Sequence, residues 1–84
     1  MDDHKLLQQF LSESSQEAFR QLVDRHLPMV YSTACRMVFD SSLGQDIAQK
    51  VFLTFAEKAD SINPPQVIGG WLYNTTRNIA MHRS

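Results

Sequence analysis

The chain has 84 residues, a formal net charge of -1, 43% apolar residues and 20% charged residues, which is room for one small cored domain and not for two. That balance excludes a disordered tail, and the near-neutral charge excludes a protein that coats duplex DNA by bulk electrostatics. One cysteine, Cys35, excludes an internal disulfide and a multi-cysteine zinc site.

Apolar residues recur at three- and four-residue steps along the chain, with no strand-like alternation of useful length, so the expected fold is all-α, a compact three- to four-helix bundle over residues 1–84. A first helix is predicted over about Asp3 to Leu11, with Leu6, Leu7, Phe10 and Leu11 on one stripe. Ser14 followed by Glu17 fits a capping box that starts a second helix. From there Ala18, Phe19, Leu22, Val23, Leu27, Val30, Tyr31, Ala34, Cys35 and Val38 keep helical register, interrupted by Pro28. A proline inside a helix removes one hydrogen bond and crowds the preceding turn, so a kink, or two helices meeting near His26, is expected there. Asp40-Ser41-Ser42 ends the element, and Ser42 with Gln45 reads as the capping box of a third helix running to about Ala59. Its inward stripe is Ile47, Val51, Phe55 and Ala59. Asp46, Gln49, Lys50, Leu53 and Glu57 lie on or near the other side.

Residues 61–70 pair Asn63, two prolines, Gln66 and two glycines with apolar Ile62, Val67 and Ile68, which reads as a loop held to the core. The closing helix, from Ile68 or Gly70 to His82, turns Trp71, Leu72, Thr75, Thr76 and Ile79 inward and Tyr73, Asn74, Arg77, Asn78 and Met81 outward. Two glycines and two threonines make it a poor helix on propensity, so packing must support it. All nine acidic residues lie between Asp2 and Asp60, whereas residues 61–84 contain none and carry Arg77, His82 and Arg83. Any contact with a phosphate backbone therefore belongs to the last quarter of the chain.

No metal or other cofactor is expected, because His4, His26 and His82 are widely spaced and lack a second-ligand pattern. No serine, histidine or aspartate falls in a nucleophile context, and the chain is not read as an enzyme. No apolar run approaches the roughly 18 residues of a spanning helix. The polar, acidic start Met1-Asp2-Asp3-His4-Lys5 is unlike a signal peptide. The expected place is the cytoplasm, with no membrane partner.

The run Asp46-Ile47-Ala48-Gln49-Lys50-Val51-Phe52-Leu53, the loop, and Gly70-Trp71-Leu72-Tyr73-Asn74-Thr75-Thr76-Arg77-Asn78-Ile79-Ala80 together resemble region 2 of extracytoplasmic-function sigma factors, over about Lys5 to Arg83. The resemblance implies a transcription initiation domain that binds the clamp helices of the RNA polymerase largest subunit and recognises and melts the promoter minus-ten element. Positions matching Asp46 and Gln49 belong to the polymerase contact. Leu53 falls one turn further along the same face, and Lys50 lies among them. A carboxylate and an amide beside an apolar contact suit a basic helical partner.

The resemblance also implies that the loop captures a non-template base extracted from the stack, with Asn63 and Gln66 as the pocket residues. Asn74 and Arg77 match the face that meets the upstream, double-stranded end of the element, Arg77 and Asn78 suit phosphate and base contacts, and Tyr73 is a stacking candidate. Trp71, next to inward Leu72, reads as core rather than as a wedge. An anti-sigma factor is a further partner that the resemblance admits. The family commonly has further basic residues after the position of Asn78, often with an acidic residue where His82 stands, a pattern from which this sequence departs, and the region 4 helix-turn-helix domain is expected to be absent from residues 1–84. The competing expectation is a helical protein-interaction module without DNA binding. A duplex-binding helix-turn-helix fits poorly, since the long loop and two arginines do not make its short turn and basic recognition helix.

Overall fold

The computed structural model describes residues 2–62 and 67–82, and these form an all-helical bundle. Its elements are α1 (Asp3–Glu13), α2 (Gln16–Val38), α3 (Ser41–Lys58), a 3₁₀ turn (Ala59–Ser61) and α4 (Ile68–His82). Helix α2 is the spine and packs against each of the other three, and α4 closes the bundle by resting on both α2 and α3.

The helix starts differ from the sequence reading by one or two residues. Ser15, not Ser14, caps α2, its hydroxyl accepting the Ala18 N–H at 3.1 Å. Ser14 instead ends α1 in the left-handed region at φ 52. Glu17, freed from a capping box, pairs with Arg20 at 2.8 Å on the exposed surface. That guanidinium bond holds the Glu17 carboxyl below its usual range. Helix α3 is capped by Asp40, whose carboxylate accepts the Leu43 N–H at 2.9 Å. Because Phe39 closes α2 in the left-handed region, the chain is already extended at Asp40, and the cap falls there rather than at Ser42. Helix α2 runs unbroken through Pro28 rather than dividing near His26. Pro28 is exposed, so the Asp24 carbonyl, deprived of its helical N–H, lies on the solvent side where the loss is small.

The core is built from one or two residues per turn of each helix. Leu6, Leu7, Leu22, Val30, Val51, Phe55, Ile68 and Leu72 are all fully buried. Phe10 of α1, Phe19 of α2, Phe55 of α3 and Trp71 of α4 form an aromatic column through all four helices, with successive ring centroids 4.9, 5.9 and 5.8 Å apart. Trp71 thus packs inward, as its place before Leu72 implied. The weak helix α4 is held by Ile68 and Leu72, both with no exposed surface, and by Thr76, whose buried hydroxyl donates to the Leu72 carbonyl at 2.7 Å. Leu11, on the predicted apolar stripe of α1, and Leu27, in the helical register of α2, are half-exposed at 45% and 39%. No described helix is long and apolar enough to cross a membrane.

Candidate functional site

Two surfaces stand out, one between α2 and α3 and one on the outer side of α4. The first is an open groove of about 940 Å³. Its α2 wall is Phe19, Val23, Leu27, Pro28 and Tyr31, and its α3 wall runs from Gln45 and Asp46 through Gln49, Phe52 and Leu53 to Ala56. From Gln45 to Ala56 at 1.5 Å per residue the groove is about 16 Å long, three turns of a helix. Its floor is apolar, and Asp46 and Gln49 stand exposed along the α3 rim. An amphipathic helix with a basic residue beside its apolar stripe matches that pattern.

Three of the four residues read as a polymerase contact, Asp46, Gln49 and Leu53, are brought together on this groove, with Leu53 66% exposed. Lys50 is exposed but lies outside it, across the ridge that Asp46 and Leu53 form along the helix. Sequence reasoning missed the α2 wall, since Leu27 and Tyr31 stand out there only as apolar positions in helical register. The signal was present: the apolar stripe of α2 is wider than one buried face needs, and it includes a proline. Beside the groove, a hydrogen bond with the Cys35 thiol pushes the Tyr31 phenol above its ordinary value.

Close packing of α3 on α2 shapes the groove. Gly44 is buried against Cys35, and a Cβ there would run into the Cys35 sulfur and lie 3.3 Å from the Cys35 Cα. Nothing larger than glycine lets the start of α3 approach α2 this closely.

The second surface is the exposed arc of α4. Tyr73, Asn74, Arg77 and Asn78 are all solvent-facing, with Tyr73 40% exposed. The Arg77 guanidinium sits over the Tyr73 ring, 5.9 Å from its centroid, an arrangement that holds a cation and an aromatic face side by side. Gly70 lies on the same side of the helix, and a Cβ there would meet open space. Asn63 and Gln66, the pocket residues expected from the sequence, lie outside the described residues. Of the loop's apolar residues, Ile62 and Ile68 are buried and Val67 is exposed.

The start of α4 is braced by α1 and α2. Asp3 accepts from Arg25 Nη1 at 2.7 Å and pairs with His26 Nε2 at 2.7 Å. The adjoining Cε1–Nδ1 edge of the His26 ring faces Gly69, at ordinary van der Waals distance from where a Cβ would stand. One carboxylate on α1 thus orients the imidazole on which the first turn of α4 rests.

Comparison with known proteins adds the family. The model of sigma-70 region 2 matches residues 22–83, which takes in most of α2 and all of α3 and α4. The ECF RNA polymerase sigma factor SigW of Bacillus subtilis (strain 168) is 27% identical over 73 residues, 87% of this chain and 39% of the relative. The RNA polymerase sigma factor CarQ of Myxococcus xanthus is 31% identical over 68 residues, 81% of this chain and again 39% of the relative. The chain therefore spans about two fifths of the length of the curated relatives it matches. No solved structure matches significantly. With the family's motifs lying on an all-helical bundle, the chain belongs to the sigma-70 region 2 family, as a region 2 domain of the extracytoplasmic-function type.

Proposed function

We propose that this domain acts in transcription initiation in the cytoplasm by holding the clamp helices of the RNA polymerase largest subunit in the α2–α3 groove while it presents α4 and the preceding loop to the minus-ten element. The observation that carries the reading is the groove itself. It is a helix-long apolar channel whose rim carries Asp46 and Gln49, the two residues that the family's motif assigns to the polymerase. An exposed carboxylate at an apolar rim orients a basic helix and adds on-rate and register more than affinity, while the apolar floor supplies most of the binding.

The DNA half of the reading is supported by the outer face of α4. That helix has no carboxylate, so nothing on it repels a phosphate, and Tyr73 with Arg77 offers a stacking face beside a cation. Arg77 is the sole arginine or lysine among the described residues of α4. Electrostatic affinity for DNA is therefore small, and the salt dependence of binding by the isolated domain is shallow. Recognition then depends on polymerase bringing opened DNA to the domain. Chemistry is left to the polymerase.

The experiment is a titration of the chain against the isolated clamp-helix coiled coil of a bacterial polymerase largest subunit, beside the Asp46→Ala, Gln49→Ala double variant. Saturable binding by the parent, weakened tenfold or more in the double variant, is the expected result. A folded chain that shows no binding would leave a helical interaction module with a different partner.

A further inference from the structure

Phe39 combines two unfavourable features. Its backbone lies in the left-handed region, φ 56 and ψ 35, where a side chain with a Cβ is strained and where a helix C-terminus ordinarily takes glycine. Its ring is 91% exposed, the most exposed large apolar side chain among the described residues. The fold gains nothing from the ring in return. The hydrogen bond that ends α2 here, Phe39 N–H to the Cys35 carbonyl at 2.8 Å, is made by the backbone and would serve glycine equally well.

The surroundings give the ring a use. Asp40 starts α3 directly after it, and Leu43, 38% exposed, stands in the first turn. At 100° per residue, Leu43, Lys50, Asp46 and Leu53 fall within an arc of about 80° on α3. One continuous face therefore runs from Leu53 along the helix through Asp46 and Lys50 to Leu43 and the corner at Phe39. The groove borders only one side of the Asp46–Leu53 ridge, and Lys50 and Leu43 lie on its other side. A partner made of two packed helices, with axes about 8 to 10 Å apart, has width enough to meet both flanks of such a ridge.

We propose that Phe39, with Leu43, is an apolar anchor at the end of the polymerase-contacting face, seated between side chains of the clamp-helix coiled coil. The proposal rests on the reading given under Proposed function and extends that contact around the α2–α3 corner. The occupant is the same coiled coil, because the corner continues the face whose exposed residues are assigned to it. A large aromatic ring held out by a fixed backbone loses little further freedom on binding, which is what makes aromatic side chains effective anchors.

The test uses the variants Phe39→Gly and Phe39→Asn, both compatible with a left-handed backbone, in the coiled-coil titration beside Asp46→Ala, Gln49→Ala. Both Phe39 variants should melt at or above the parent's temperature and yet bind at least fivefold more weakly, with Phe39→Leu recovering most of the loss. If they bind within twofold of the parent while the Asp46, Gln49 variant is weakened, the Phe39 proposal is overturned and the groove reading stands. If the parent itself does not bind, or the Asp46, Gln49 variant binds like it, the groove reading fails and takes this proposal with it.

Discussion

Along the α2–α3 groove, surface and core are one continuous construction. On the outer face of α4 they are separate. The α3 wall of the groove includes Ala48 and Phe52, which are themselves nearly buried, and its spacing from the α2 wall is set by the Gly44–Cys35 approach. Helix α4, by contrast, is held through Ile68, Leu72 and Thr76 on one side and presents Tyr73, Asn74, Arg77 and Asn78 on the other. The difference teaches that the groove is fixed because it is made of packing, while the outer face of α4 can vary in its side chains with little effect on the fold.

Substitutions can break that comparison or sharpen it. The largest effect is expected from Phe55→Ala, which empties the middle of the aromatic column between Phe19 and Trp71. Truncating a fully buried phenylalanine costs about 3 to 5 kcal/mol, much of the stability of so small a domain. Both surfaces should fail together, and a melting curve by circular dichroism reads the loss. Gly44→Ala should be smaller, about 1 to 3 kcal/mol, from overpacking against the Cys35 sulfur, with the Cys35 Cα close behind it. Its effect should be uneven, since α3 is pushed from α2 at the head of the groove. Coiled-coil affinity should fall by more than any change in the backbone hydrogen exchange of α4. Equal losses on both surfaces would mean that they are not built separately.

Much of the fold was legible because its signal is periodic. The stripes of α1, α3 and α4 follow from three- and four-residue spacing, and the inward turn of Trp71 follows from its neighbour Leu72. Boundaries were less legible. Asp40, Ser41 and Ser42 are three adjacent residues that can each cap a helix, and the choice among them depends on where α2 stops. That in turn depends on Phe39 adopting a left-handed backbone, which nothing local predicts because glycine ordinarily marks such positions. The α2 wall of the groove was hidden for a related reason. Periodicity identifies apolar residues on one side of a helix and does not say that Leu27 remains 39% exposed once the neighbouring helix is in place. The polymerase contact proposed for Asp46 and Gln49 rests on the family's motif, since an acid and an amide on a polar face are chemically unremarkable.

We propose that one domain holds polymerase and DNA on two independent surfaces. The most direct test is a paired measurement on core polymerase with a promoter carrying a fluorescent base analogue in the minus-ten element. Polymerase affinity is read by the mobility of the labelled domain, and opening by the base signal at saturating polymerase. The Tyr73→Ala, Arg77→Ala variant should bind polymerase within twofold of the parent and lose most of the opening signal. The Asp46→Ala, Gln49→Ala variant should bind at least tenfold more weakly and recover the signal once polymerase is raised to saturation. Loss of polymerase binding from the α4 changes, or an unchanged opening signal, would contradict the account.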